Sequence, residues 1–297
     1  MNSRHFLAFA CSLVGLGLAL AAGCSRPVVA GPRPDPAVAL KLREQLSAGG
    51  AAAEGAKPED AAAEGPVEWG TLHGVFKFAG QPPTPAPIAA TKDPEVCGKH
   101  PLVNESITVG PGGGLANVIL FLRTPKVPVN PEYDKTAKDE VLLDNKNCRF
   151  EPHVLAMRTT QTLLIKNSDP IGHNSKLDLT ANASINALIP SGQSAPEQLT
   201  KEESLPKQVG CNIHPWMGAW LLVRSDPYAS VSNPTGEFKI ENLPANRPLE
   251  FQVWQEKGNM GGLAFQGGKT DTKGRFKIKL KPGDNDLGTI EVQASAF

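Results

Sequence analysis

The chain has 297 residues, of which 40% are hydrophobic, and its 30 Lys and Arg residues balance its 30 Asp and Glu residues. A chain of this length and apolar content can bury one or two cores, which excludes full disorder. The balanced charge provides no basic excess of the kind that phosphate backbones attract, so no nucleic-acid partner is expected.

The N-terminus predicts export. An apolar run, Phe6 to Leu20, follows the charged Arg4, and small residues separate this run from Cys24. The run is too short for a membrane-spanning helix and is typical of a signal peptide, which we place at residues 1–23. The small residues before Cys24 resemble the bacterial lipobox, although Ala21 stands where Leu is commonest. The resemblance implies a lipidated Cys24 and a protein anchored to a membrane of the cell envelope, facing the periplasm; plain secretion is the alternative.

Residues 24–66 are rich in Ala, Gly, Pro and Glu, as in the repeated Ala-Ala-Ala-Glu-Gly of residues 51–55 and 61–65. Such a composition cannot pack a core. We therefore predict a disordered linker that follows the lipidated residue.

Short apolar and alternating runs, separated by Gly, Pro and Asn, begin near Trp69 and continue to the C-terminus. This spacing is typical of an all-β sandwich or barrel. We predict strands within residues 71–78, 116–122, 141–143, 153–157, 162–166, 219–223, 238–240, 250–254 and 276–280.

A weak internal repeat occupies the last third of the chain, where residues 235–240 are echoed by residues 273–278. Each copy predicts a tight turn that leads into a strand with Phe and Ile on one face. We take residues 227–233 as a boundary, which gives a domain at 67–226 and a small C-terminal β domain at 227–297.

Five cysteines are present, and their expected fates differ. Cys11 lies in the predicted signal peptide and Cys24 at the predicted lipidation site, which leaves Cys97, Cys148 and Cys211. In an oxidising compartment two of these three should pair, and the third needs another explanation.

Cys97 and Cys148 are the predicted disulfide. The alternative is a second metal site of Cys₂His₂ type, in which His100 and His153 complete the ligands. Export and the β-rich pattern favour the disulfide.

The remaining cysteine begins a pattern of metal-binding residue types. Cys211, His214 and Met217 have C-x-x-H-x-x-M spacing in a loop between two predicted strands, and His173-Asn174 follows an upstream strand. One thiolate, two imidazoles and a distant thioether are the ligands of copper electron-transfer centres. We predict one type 1 (blue) copper site with His173, Cys211 and His214 as strong ligands and Met217 as the weak axial ligand. The alternative interpretation is that no metal binds and that the three residues are a buried Cys, a turn His and a core Met.

Residues 114–224 resemble a cupredoxin, and the short C-x-x-H-P-[aromatic]-M loop is most similar to that of amicyanin and its relatives. The resemblance implies that Asn174 ties the two ligand loops together and that Pro215 supports the second loop. It also implies that the edge of His214 reaches the surface through an apolar collar that includes Pro215 and Trp216. We expect this collar to be the docking patch for a redox protein partner.

Two further segments resemble the exported cupredoxin-like proteins of planctomycetes, which add a carboxypeptidase-regulatory-like module. The segments are residues 144–154 and the G-x-F-x-I-x-x-L-P pattern of residues 236–244. The resemblance implies an all-β chain, with a cupredoxin-like Greek-key β-sandwich followed by a small carboxypeptidase-regulatory or Ig-like β-sandwich.

The expected function is that of a membrane-tethered electron carrier or redox module, cycling between Cu(I) and Cu(II). The alternatives are a non-redox copper-binding protein for storage, delivery or tolerance, and a structural β-sandwich protein with a vestigial site. We do not expect an enzyme. The chain has no His-x-His pair of the kind that a multicopper oxidase or a nitrite reductase needs, and no serine nucleophile elbow.

Overall fold

The computed structural model describes residues 66–297, so the predicted signal peptide, Cys24 and nearly all of the predicted linker lie outside the described residues. The described part is β-rich, as predicted, and its one α-helix, α1 (Pro94–Cys97), is a single turn. No helix within residues 66–297 is long and apolar enough to cross a membrane. Short 3₁₀ turns lie at Pro111–Gly113, Pro131–Thr136 and Ala294–Ala296. The strands are β1 (Trp69–Ala79), β2 (Ile119–Leu122), β3 (Glu140–Lys146), β4 (Arg149–Glu151), β5 (Val154–Arg158), β6 (Thr162–Asn167), β7 (His173–Leu177), β8 (Ile185–Ile189), β9 (Ser194–Gln198), β10 (Lys207–Gly210), β11 (Gly218–Arg224), β12 (Ala229–Val231), β13 (Glu237–Pro244), β14 (Pro248–Trp254), β15 (Ala264–Phe265), β16 (Gly268–Lys269), β17 (Arg275–Lys279) and β18 (Gly283–Gln293).

The first sandwich is formed by a three-stranded sheet, in the order β13-β1-β18, and a four-stranded sheet, in the order β12-β2-β14-β17. Alternate residues of β1 are buried, among them Leu72 and Phe76, because successive side chains of a strand point to opposite faces. These side chains share one core with residues of the C-terminal strands such as Phe251 and Ile290.

The pairing of β1 and β2 corrects the predicted domain at 67–226. β1 pairs with β13 and β18, and β2 pairs with β12 and β14, so both belong to the sandwich built from the C-terminal strands. The reason is the apolar face of β1, which the C-terminal repeat covers: the rings of Phe76 and Phe238 lie 4.7 Å apart. The segment 227–233, predicted as a boundary, contains β12.

The second sandwich is built from β3 to β11, in sheets ordered β4-β3-β6-β9 and β5-β11-β10-β7-β8. Its core contains aliphatic residues such as Leu163 and Leu221 together with Cys211 and Met217. β10 and β11 form an antiparallel hairpin in which Gly210 pairs with Gly218. The predicted ligand loop, residues 211–217, closes this hairpin, and β7 lies directly beside β10.

The two sandwiches pack against each other through β2, all four residues of which are buried. Ile119 and Phe121 on the second face of β2 form an apolar cluster with Val154 of β5 and Leu222 of β11. The outer face of the four-stranded sheet that contains β2 therefore supports the sheet that carries the ligand loop.

A long connection between β1 and β2 crosses to the second sandwich. Its central part, residues 86–104, is called the strap here. It is closed by backbone hydrogen bonds between Ile88 N and Leu102 O, at 2.9 Å, and between Asn104 N and Ala86 O, at 2.9 Å. α1 lies within the strap, and a disulfide joins its last residue, Cys97, to Cys148 in the β3–β4 turn.

This disulfide confirms the predicted pair. It also rules out the alternative Cys₂His₂ site, because neither sulfur remains available as a thiolate ligand. Of the two histidines in that alternative, His153 instead meets the carboxylate of Glu256 at 2.6 Å.

Candidate metal centre

Three of the four predicted ligands meet at one end of the second sandwich. The ligand atoms of His173, Cys211 and His214 all lie within 4.8 Å of one another, and all three residues are buried. His173 is the first residue of β7, and Cys211 and His214 lie in the adjacent loop. Met217 ends this loop and is buried in the same core, and its role as axial ligand stays a prediction.

The loop is closed by its own backbone. The Met217 N–H donates to the carbonyl of His214 at 2.9 Å, and the Cys211 N–H donates to the carbonyl of Met217 at 3.4 Å. The C-x-x-H-x-x-M spacing thus fits a tight turn at the end of a hairpin, which brings the first and last residues of the motif together.

The sulfur of Cys211 accepts hydrogen bonds from both ligand loops. The backbone N–H groups of Asn174 and His214 each lie 3.4 Å from Sγ. Asn174 also accepts a hydrogen bond from the Asn212 N–H through its side-chain oxygen, at 3.0 Å. This bond joins the two loops, which is the contact expected of Asn174. Pro215 lies exposed at the tip of the loop.

The electrostatics of the group favour a thiolate. Burial raises the pKa of Cys211, but the ring of His173 and the two N–H donors lower it to about 6. Burial lowers the pKa of His173, but its contacts with Asp169 and Cys211 raise that pKa to about 9. The lowered pKa of Cys211 favours the thiolate, which is the form in which a cysteine sulfur binds a metal.

Each ligand histidine is held by a carboxylate through its outer nitrogen. Nε2 of His173 lies 2.8 Å from Oδ2 of Asp169, and Nε2 of His214 lies 2.8 Å from Oδ2 of Asp93. This arrangement is typical of metal-binding histidines, because it leaves Nδ1 free for the metal and fixes the ring plane.

The buried Nδ1 of His173 supports this interpretation. It lies near the sulfur of Cys211 but makes no hydrogen bond of normal geometry within the described residues. A buried polar atom without a hydrogen bond is costly. A copper ion at the centre would satisfy it, so the residues present fit the metal that the sequence predicts.

Asp169 is itself held firmly. Its carboxylate accepts the backbone N–H groups of Asn147, at 2.7 Å, and Cys148, at 2.8 Å. Burial raises the pKa of Asp169, but the hydrogen bonds from His173 and from these N–H groups lower it, so the carboxylate is ionised. The sulfur of Cys148 also lies close to Asp169 and His173, but it belongs to the disulfide.

The expected exposure of His214 is wrong. Its side chain is fully buried, whereas the resemblance implied an edge at the surface. The reason is the strap, which brings Asp93 onto the outer nitrogen. Trp216 is half-buried under the same segment: its ring lies 5.2 Å from that of His214, and its Nε1 donates to the carbonyl of Cys148 at 3.0 Å.

The sequence did not reveal either carboxylate. Asp169 stands four residues before His173, a spacing that could have identified it. Asp93 stands four residues before Cys97, and the predicted disulfide was the available signal that this segment reaches the centre.

A second histidine–carboxylate group lies between the sandwiches. Glu256 contacts Nε2 of His153 at 2.6 Å and accepts a hydrogen bond from Nε1 of Trp220 at 2.9 Å. Trp220 of β11 is half-buried, and its ring lies 5.0 Å from that of Trp254. This group links β11 to the first sandwich.

No family model matches the chain, and no curated protein does. Among solved structures, the copper-containing nitrite reductase from Thermus scotoductus SA-01 is 20% identical, with a TM-score of 0.26 over 28% of this chain and 22% of that one. The chain thus spans about a fifth of that enzyme. A mutant of amicyanin in its Cu(I) form is 16% identical, with a TM-score of 0.26 over 29% of this chain and 82% of that one. A purple cupredoxin from Nitrosopumilus maritimus is 19% identical, with a TM-score of 0.24 over 29% of this chain and 99% of that one.

Proposed function

We propose that the chain binds one type 1 copper ion through His173, Cys211, His214 and Met217 and serves as an electron carrier or redox module. The observation that carries the proposal is the buried His₂Cys group, in which both imidazoles are held by carboxylates and the thiol has a lowered pKa. The fourth neighbour in the motif is a thioether rather than a carboxylate or a third cysteine, which favours copper over zinc.

The protein's part in this function is to hold one arrangement of ligands. When bound, copper supplies one-electron exchange between Cu(I) and Cu(II). The two carboxylates fix the imidazole rings, and the two backbone N–H groups on Cys211 stabilise negative charge on its sulfur. The apolar core of the second sandwich keeps water away from the centre.

The setting of the proposal follows from the N-terminal sequence. Export, a lipid anchor at Cys24 and a site facing the periplasm suit a carrier that exchanges electrons with another protein of the envelope. We propose a docking patch at Pro215 and Trp216, where the ligand loop meets the surface, and we expect no catalytic activity of the chain itself.

The visible spectrum tests the copper site. Cu(II) is added to the purified, unlipidated chain, and an intense blue band from thiolate-to-copper charge transfer is expected. The band should vanish in Cys211→Ser and persist in Cys24→Ser, a control that makes the same substitution outside the site. A wild-type complex without the band, or a band that survives in Cys211→Ser, would contradict the proposal.

A second function is favoured by one observation. The full burial of His214 removes the ligand edge through which an electron could leave, which suits a protein that holds copper without exchanging electrons. Stopped-flow oxidation of the reduced copper form by ferricyanide separates the two functions. Oxidation within milliseconds supports the electron carrier, whereas oxidation over minutes supports copper holding.

A further inference from the structure

The strap connects two strands of the first sandwich, yet it ends over the ligand loop of the second. Within it, Asp93 reaches His214, which lies 121 positions further along the chain, at a distance of 2.8 Å. No backbone pairing of the ligand-bearing sheets requires this contact. The carboxylate therefore comes to the metal centre from outside the sandwich that holds the other ligands.

The local geometry of Asp93 directs its side chain to the histidine. Asp93 precedes α1, and its carbonyl accepts the N–H groups of Val96, at 3.0 Å, and Cys97, at 2.9 Å. An aspartate in this position usually caps the helix with its carboxylate. Here the side chain makes no capping hydrogen bond, and the backbone is left-handed, with φ at 44°. The carboxylate faces His214 instead of the helix.

The disulfide connects the segments that hold the two carboxylates. Cys97 stands four residues after Asp93, and the backbone N–H of its partner, Cys148, donates to Asp169 at 2.8 Å. One covalent link thus joins the segment that carries Asp93 to the turn that holds Asp169.

We infer that Asp93 is a positioning residue for the metal ligand His214, and that the Cys97–Cys148 disulfide keeps it in place. The inference rests on the proposed copper function. By accepting a hydrogen bond from Nε2, the carboxylate keeps the proton on that nitrogen, leaves Nδ1 for the metal and fixes the ring plane. The strap also covers the edge of the ring, which closes this side of the centre to solvent.

The first test needs no copper. Nitrogen NMR of metal-free protein labelled in histidine reports which ring nitrogen of His214 carries the proton. We expect Nε2 in the wild type and a mixture in Asp93→Ala, with Asp93→Asn restoring Nε2 because the amide oxygen still accepts a hydrogen bond. The matched control is Glu95→Ala, which removes an exposed acid from the same helix. If Asp93→Ala gives the wild-type tautomer, the inference is wrong.

The second test measures copper retention. Transfer of copper to a chelator should be about 10- to 100-fold faster from Asp93→Ala than from the wild type, and unchanged in Glu95→Ala, since a lost partner of a ligand histidine weakens metal binding by such factors. Equal rates in the two variants would overturn the inference. A wild type that forms no blue complex would instead refute the proposed function, and the NMR test of Asp93 would still stand.

A third variant tests the disulfide. Cys97→Ser/Cys148→Ser should release copper faster than the wild type, and adding Asp93→Ala to it should change the rate by less than twofold, because the strap no longer presents the carboxylate. If the two changes instead raise the rate of copper release by independent factors that multiply, the disulfide does not act through Asp93.

Discussion

The two sides of the metal centre are built in different ways. On the inner side, His173 and Asp169 are four residues apart, lie in the same sandwich and are both buried. On the outer side, His214 is buried, but its partner Asp93 comes from the strap and has a side chain that is 39% exposed. The inner pair is part of the fold of the second sandwich, whereas the outer pair depends on a segment fastened across it.

Because of this difference, the inner carboxylate should matter mainly for the stability of the fold and the outer one mainly for access to the metal centre. A carboxylate inside a sandwich contributes strongly to stability, because removing it leaves its buried partner without a counter-charge. A half-exposed carboxylate on a strap contributes little to folding, since solvent screens it. It can still fix the orientation of the metal ligand His214 and limit the access of solvent to that ring.

Loss of the disulfide should have the largest effect on stability. Cys97→Ser/Cys148→Ser opens a loop closed across 51 positions, which the chain-entropy model values at about 4 kcal/mol. Urea unfolding of the metal-free protein measures this. A decrease in the free energy of unfolding below about 1 kcal/mol would mean that other contacts hold the strap in place. The outer pair would then depend on the disulfide less than we infer.

The two carboxylates should differ next. Asp169→Asn should lower the free energy of unfolding by about 3 kcal/mol, because it removes a buried negative charge that pairs with His173 and accepts two backbone N–H groups. Asp93→Asn should lower it by less than about 1 kcal/mol. The same urea titrations compare the two variants. Equal losses would contradict the proposal that only the inner pair is part of the fold of the second sandwich.

The pair of His153 and Glu256 offers a comparison with a carboxylate–histidine contact that is away from the centre. Burial lowers the pKa of His153, but Glu256 raises it above its ordinary 6.5 overall. Burial raises the pKa of Glu256, but His153 lowers it below its ordinary 4.5 overall. The histidine stabilises most below pH 6.5 and loses this effect as pH rises through its folded pKa. The glutamate stabilises most above pH 4.5 and loses it as pH falls through its own.

Glu256→Gln should therefore cost about 2 kcal/mol between about pH 4.5 and 6.5, and less outside this window. Unfolding followed across pH measures the effect. A pH-independent loss would show that the contact with Trp220, and not the charge on His153, carries the interaction.

The smallest expected effect concerns the link between the two loops. Asn174→Ala removes the hydrogen bond from the Asn212 N–H, and also those that the Asn174 amide donates to Oδ1 of Asn186, at 2.6 Å, and to the carbonyl of Ala187, at 3.4 Å. Water can replace part of this group of neutral hydrogen bonds, so the loss should be about 1.5 kcal/mol. Thermal unfolding measures it, and Asn182→Ala, at a loop outside the centre, compares a second amide. A loss of 3 kcal/mol or more at Asn174 would indicate that the inner and outer loops are not separate units.

The sequence was sufficient for features set by local pattern. Alternation gave the β class, and motif spacing brought His173, Cys211 and His214 to one place. The export context gave the pairing of Cys97 with Cys148. Each of these features depends on local residue patterns that lead to the same structure in most β proteins.

Features set by long-range packing were not available from the sequence. The pairing of β1 with β13 and β18 joins strands more than 150 positions apart, and it depends on which apolar faces pack together. The reach of Asp93 to His214 depends on the path of a strap without regular structure. For the same reason, the exposure expected for His214 was wrong: the resemblance covers the ligand loops but not the segment that lies over them.

The electron paramagnetic resonance spectrum of the Cu(II)-loaded protein tests the central claim most directly. A type 1 centre places much of the unpaired electron on the sulfur of Cys211, so we predict a small copper hyperfine splitting along the main axis, lost in Cys211→Ser. A large splitting in the wild type, as given by copper bound to nitrogen and oxygen alone, would contradict it.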